Sequence, residues 1–455
     1  MTVLPDRRRE QEAYDLGRAS RTLGVLVDCP TSRLVAMGLA AVGAEILLLG
    51  WPDPDPRRRD YLVPESAASR SQSGPSGFID RTLSSLFCDV RASCAAGAGD
   101  LHAVSSLLSD ASGAVPLLVV PAYHPDAVAS LYDLAEEGGP DRARHTRIVA
   151  AGPRGCCLVT PDPAQVEEQL RALRAVMEGD AGADPLSADA ALIAAGALLH
   201  EARLLTGARL LSASDDECEA DAVCSLPMPD PVDAPPRERL VVGAGGIGGI
   251  LALLGIAPTA RPGHRLTLVD GDRVERHNLL LHNWAGSPKV EALRAEIERR
   301  TAALAVDVIP QMVAPDTVLP LADITYAVTD SALSRRHVQE AMAPADRPRL
   351  VCAGGSTGGA EAFIAGGGPA CVACRYPGVT RAPAAAACSR NPASFASNMV
   401  AAGLALALGR RIRSDGFMAS DDGASRHAFS TIRPDRLVRL LPQRCTHFGQ
   451  SVAAR

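Results

Sequence analysis

Apolar positions fall in short blocks along this chain. Each is punctuated by glycine, proline or a polar turn, and longer apolar stretches at helical spacing follow several of them. The run LVVGAGGIGGILALLG, Leu240 to Gly255, joins two apolar blocks through a glycine cluster and predicts strand, tight turn, helix. HRLTLVDGD supplies the next strand, ITYAVTDS a third buried one before a helix, and RLVCAGGSTGGAEAFIAGGG a further strand region. A long apolar helix, ASNMVAAGLALALGRRI, closes the series. The first half runs through blocks in the same order: TLGVLVDCPTSRLVAMGLAAVGAEILLLG, VPLLVVPAYHPDAVASLYDLAEEG, TRIVAAGPRGCCLVTPD and ALIAAGALLHEARLLTGA. The matching order and rough spacing predict a tandem repeat of Rossmann-like α/β units, mostly parallel sheets flanked by helices.

Composition adds boundaries. Residues 1–20 are polar and Arg-rich and read as an arm. Residues 21–212 form the first α/β unit, 213–237 an acidic then Pro-rich linker, and 238–455 the second unit. At 455 residues, each unit is expected to have its own core. A net charge of −6 gives no reason to bind nucleic acid or an anionic membrane. No apolar run approaches the roughly 18 residues of a membrane span. The N-terminus carries no basic, apolar, small-residue targeting signal, so a cytoplasmic protein is expected. The 12 cysteines are scattered, which favours reduced thiols or metal ligands over a disulfide framework.

The halves differ where chemistry would sit. Gly243, Gly245, Gly246 and Gly248 shape a turn that lets backbone amides approach a phosphate. The first half has VDCPTSR there, and a turn with Pro30 and no glycine cannot do the same, so that half is expected to be a degenerate scaffold without nucleotide. Asp270 ends the strand after the glycine turn, where an acidic residue meets a ribose. Up to this point NAD and ATP fit equally. Lys289 then places a cation suited to phosphate charge close behind. Asp330 ends a buried strand at the sheet edge that binds ligands, where it would hold magnesium against phosphates.

In combination, GAGGIG, LVDGDRVERHNL, GSPKVE, VTDS and Cys371-Val-Ala-Cys374 resemble the ubiquitin-activating-enzyme superfamily, the MoeB/ThiF-type adenylyltransferases, over residues 240–448. The resemblance implies a nucleotidyltransferase. Such an enzyme binds Mg·ATP, adenylates the C-terminal carboxylate of a ubiquitin-like or sulfur-carrier protein or a peptide, and releases pyrophosphate. It implies ribose binding by Asp270, phosphate contacts from Asn278 and Lys289, magnesium on Asp330, and an arginine at Arg335. It further implies zinc on Cys371, Cys374, Cys445 and His447, and a nucleophilic thiol near Cys388. Either a homodimer or an internal pseudo-dimer of the halves would follow. One departure stands out: Leu281 occupies the place of the family's phosphate-contacting arginine, with Arg276, His282 or an arginine of the arm (Arg7, Arg8, Arg9) as substitutes. That loss favours a rival reading, a non-catalytic partner that presents a precursor peptide in ribosomal-peptide natural-product maturation. A nicotinamide oxidoreductase is the remote alternative.

Overall fold

In the computed structural model, the described residues are 22–50, 75–87, 90–95, 115–123, 145–178, 187–205, 223–227, 236–275, 284–342, 350–355, 359–365, 371–376, 394–410, 426–430 and 433–440, with single positions such as Leu62, Asn278, Leu280 and Leu281 between them. The arm at 1–20, Arg276 and His282 lie outside them.

The first half contributes β1 (Thr22–Val27), β2 (Glu45–Leu49), β3 (Arg91–Ala95), β4 (Val115–Pro121), β5 (Thr146–Gly152), β6 (Gly155–Val159) and β7 (Val223–Pro227). The second contributes β8 (Glu238–Val242), β9 (His264–Val269), β10 (Leu304–Ile309), β11 (Ile324–Ala327), β12 (Leu350–Gly355), β13 (Ala360–Ala365), β14 (Arg426–Ser430) and β15 (Arg433–Leu440). The first sheet has the order β3-β2-β1-β4-β5-β6-β7 and the second β10-β9-β8-β11-β12-β13-β14-β15. Strand for strand the two orders coincide, with β15 as the addition. In each, five parallel strands turn into an antiparallel extension, at β5–β6 and at β12–β13. The tandem repeat read from the apolar blocks is therefore the topology of the molecule. The central strands are apolar on both faces because helices cover both sides of the parallel region.

Two expectations change. Val223–Pro227 lies within the segment read as linker, yet it pairs antiparallel with β6 and completes the first sheet. Its flanking acidic and proline residues masked a five-residue strand. Nor do the halves have wholly separate cores. One apolar cluster runs from Leu26 through Leu198 to Val241, Leu254 and Leu408, while each sheet's outer face has a smaller cluster of its own.

The shared core is built from helices. α1 (Pro30–Ala41), α2 (Val166–Met177) and α3 (Ala188–Leu205) belong to the first half. α4 (Gly246–Ile250, continued by a wide turn through Ile256), α5 (Lys289–Arg300), α6 (Ala332–Met342), the short α7 (Val372–Arg375) and α8 (Phe395–Gly409) belong to the second. α3 and α8, the closing helices of the two repeats, pack against each other. A Cβ on Gly196 would lie 2.6 Å from Val400 Cγ2 and 2.7 Å from the Ala396 carbonyl oxygen; one on Gly403 would lie 2.6 Å from Ile193 Cγ1 and 2.7 Å from the Asp189 carbonyl oxygen. These contacts exchange under a constant sequence offset of 207 (189 to 396, 193 to 400, 196 to 403), which is the signature of an approximate twofold between the halves. Arg410 closes one end of the crossing on Asp189, at 2.6 Å, and Arg299 donates to the Arg81 carbonyl oxygen at 3.0 Å elsewhere between the halves.

Candidate active site

The order of the second sheet reverses between β8 and β11, and the carboxyl ends of strands at such a switch point frame a crevice. The glycine turn leaves β8 there. Gly243 has φ +100, a conformation open to glycine, and its amide donates to the Val269 carbonyl oxygen at 2.8 Å. A Cβ on Gly248 would sit 1.7 Å from the Gly243 carbonyl oxygen, so the helix starts hard against the turn. A Cβ on Gly246 would meet the Asn398 side-chain amide at 2.6 Å, which puts the first turn of α8 beside the glycines. A Cβ on Gly245 would meet nothing within 4 Å: this glycine faces open space.

Asp270 braces the turn from β9. Its Oδ2 accepts the Ala244 amide at 2.7 Å and its Oδ1 the Asp272 amide at 2.8 Å. Two oxygens offer about four acceptor sites, so the half-buried carboxylate retains capacity for a hydroxyl. Lys289 opens α5; its Nζ lies 2.9 Å from Asp272 Oδ2 and its amide donates to the Asp272 carbonyl oxygen at 2.9 Å. Asn278 closes a tight turn, accepting the Glu275 amide at 2.8 Å on Oδ1. Asp330 is exposed at the end of β11, one residue before Ser331, whose hydroxyl caps α6 by accepting the Ser334 amide at 3.0 Å. Asp270, Lys289 and Asp330 thus come to the same sheet edge as the glycine turn.

Arg335 is placed differently. It is buried, and its guanidinium donates to the Thr329 carbonyl oxygen at 3.0 Å and to Tyr376 Oη at 2.6 Å, so it braces the Asp330 loop from within. Leu281 is buried in the shared apolar cluster with φ +64, a left-handed conformation that costs a leucine about 1–2 kcal/mol. Its side chain points into the core, so the family's cation cannot be restored there by a simple exchange: an arginine would be buried unpaired.

The first half's equivalent turn is closed. Cys29 caps α1 by accepting the Ser32 amide at 3.3 Å, Pro30 removes one further donor, and Thr31 and Ser32 are buried. Asp28 takes Arg33 Nε at 2.7 Å and Nη2 at 2.8 Å, with the fully buried guanidinium over Phe78. Burial pushes the Cys29 thiol up, away from the thiolate. No bare amide is left for a phosphate at this turn.

Of the expected zinc ligands, Cys371 is buried and outside any disulfide. The Cys374 side chain, Cys445 and His447 lie outside the described residues, as does Cys388. Among the described residues no group of three or more His, Cys, Asp or Glu side chains is placed to hold a metal, and no helix is long and apolar enough to cross a membrane. Sequence reading missed Glu361 and Tyr376, although an acidic residue inside the apolar strand AEAFIA is a signal of its own.

Residues 237–434 match the family model described as "ThiF family". This part of the chain, somewhat under half of it, is similar to that family. Among solved structures, E. coli MccB with AMPCPP and MccA is 20% identical over 46% of this chain and 65% of that one, with a TM-score of 0.36. E. coli MccB with succinimide is 17% identical over 66% of this chain and 96% of that one, also at 0.36. PaaA is 15% identical over 46% and 65%, at 0.32. The chain thus spans just under two thirds of the length of the first of these structures. No curated protein sequence matches the chain.

Proposed function

We propose that the ThiF-like domain binds Mg·ATP at the β8/β11 crevice and adenylates the C-terminal carboxylate of a small ubiquitin-like or sulfur-carrier protein or of a precursor peptide. The observation that carries this reading is the convergence of an open glycine turn, Lys289 and the exposed Asp330 on one sheet edge. A nicotinamide enzyme has no use for the last two. In the reaction a carboxylate oxygen of the substrate attacks the α-phosphorus, the bond to pyrophosphate breaks, and an acyl-adenylate forms; no proton moves. The chain therefore contributes position and charge. The turn's amides face phosphate oxygens, Asp270 offers its spare acceptor capacity to the ribose, and Lys289 offsets phosphate charge while Asp272 holds its ammonium. Asp330 suits magnesium, which commonly takes one or two carboxylates together with phosphates and water; when bound, the ion neutralises charge on the leaving pyrophosphate. We read the two halves as an internal pseudo-dimer, supported by the twofold packing of α3 on α8.

A second reading, a non-catalytic presenter of a precursor peptide, is favoured by the inward-facing Leu281. Asp330→Asn separates the two. Carrier-dependent pyrophosphate exchange should fall by about 10²-fold or more, as when other electrostatic stabilisers are lost. A wild type without exchange for any carrier supports the presenter, and exchange that survives Asp330→Asn refutes the assignment of this aspartate.

A further inference from the structure

Behind Asp330 lies a chain of polar contacts that crosses three elements. Arg335, on α6, folds back to the Thr329 carbonyl oxygen immediately before Asp330. Its guanidinium lies along β12 at Gly354, where a Cβ would come within 3.0 Å of Nη2. Arg335 Nη1 donates to Tyr376 Oη at 2.6 Å, and Tyr376 Oη donates to Glu361 Oε1 on β13. Arg375 fixes Glu361 in turn, with Nε at 2.9 Å and Nη2 at 2.7 Å from Oε2. The Tyr376 ring is wedged edge-on against Phe363, with the guanidiniums of Arg335 and Arg375 near its face. A second link joins the same elements: the Val372 amide donates to Gln339 Oε1 at 2.7 Å. Tyr376 thus follows directly on α7 and is tied to the helix that Asp330 precedes.

The phenol has one hydroxyl to serve two charged neighbours. It accepts from a cation and donates to an anion, which requires the neutral form. Burial pushes its pKa up to about 12, so it stays a phenol throughout the working range. Among the described residues, Thr329, Tyr376 and the glycine wall of β12 hold the Arg335 fork in this orientation. A guanidinium so fixed immobilises the carbonyl at 329 and with it the start of the Asp330 loop.

We propose that Tyr376, held by Glu361, is a positioning residue for the nucleotide site: it locks Arg335 onto Thr329 and so sets where the Asp330 carboxylate stands. This rests on the reading of the crevice as an Mg·ATP site. It is tested on the full chain by titrating ATP calorimetrically, without Mg²⁺ and over a series of Mg²⁺ concentrations, in wild type, Tyr376→Phe and Glu361→Gln. The expected result is that ATP affinity without Mg²⁺ stays within about twofold, because the glycine turn is untouched. The Mg²⁺ concentration giving half of its enhancement should rise about tenfold in Tyr376→Phe, as when groups behind a metal ligand are removed. Glu361→Gln, which keeps an acceptor and the shape, should change in the same direction by less. An unchanged Mg²⁺ requirement in both variants overturns the role of Tyr376, as does an equal loss of affinity with and without Mg²⁺, which marks a general structural defect. A wild type that lacks Mg²⁺-dependent ATP binding overturns the nucleotide reading itself, and this inference with it.

Discussion

Gly248→Ala is expected to abolish ATP binding and to lower the melting temperature by roughly 6 °C or more. A methyl group at this position would stand 1.7 Å from the Gly243 carbonyl oxygen, 2.9 Å from its carbon and 3.1 Å from Val328 Cγ2. A flexible side chain could yield, but a carbonyl cannot, and Gly243 has no slack. At φ +100 it is flanked by backbone, with any Cβ of its own 3.0 Å from the Thr329 nitrogen, and its amide is tied to Val269. Relief requires α4 to slide away from β8 or the turn to open. Overpacking of this kind costs about 3 kcal/mol or more where backbone must move, and for a domain of this size each kcal/mol is worth roughly 2–4 °C. The turn that opens is also the one that presents amides to a phosphate, so binding is lost with the same displacement. Thermal unfolding followed by calorimetric ATP titration reads both effects. A variant that melts with wild type and binds ATP contradicts the tight turn.

Gly403→Leu is expected to have the second large effect, on how the halves hold together. The Cβ would fall 2.6 Å from Ile193 Cγ1 and 2.7 Å from the Asp189 carbonyl oxygen, so α8 and α3 would have to separate. Behind this contact lies the apolar cluster that both halves share, and a separated crossing exposes it. Asp189 would also move away from Arg410, breaking an ion pair whose carboxylate is buried. The expected outcome is a melting temperature lower by roughly 6 °C or more. Gly403→Ala should show the same direction at smaller size. An unchanged melting temperature in Gly403→Leu would mean that the helices do not pack as described.

Much of this architecture is legible in the sequence because parallel strands buried on both faces announce themselves as apolar runs. The glycine turn, Asp270 and Asp330 likewise sit at fixed places relative to those runs. What is not legible depends on three-dimensional packing. The strand Val223–Pro227 is hidden by acidic and proline neighbours, and its partner β6 lies 64 or more residues earlier in the chain. That α3 and α8 merge the two cores is invisible in either helix alone, since each is apolar nearly all round and would fit any buried site. Arg335 enters the site only through the resemblance to a family pattern, and nothing in the letters shows that Thr329 and Tyr376 satisfy it inside the fold. Leu281 shows as a departure from a family pattern, but the left-handed backbone that turns it inward has no signature in the letters.

The central claim is one nucleotide site, selective for ATP and confined to the second half, and the most direct measurement is the stoichiometry of ATP and NAD binding to the full chain. One ATP per chain and no NAD are predicted, with Gly245→Asp folding normally and losing ATP, because its side chain enters open space and sets a carboxylate where phosphate would lie. Two ATP sites, binding of NAD, or ATP binding that survives Gly245→Asp would contradict the account.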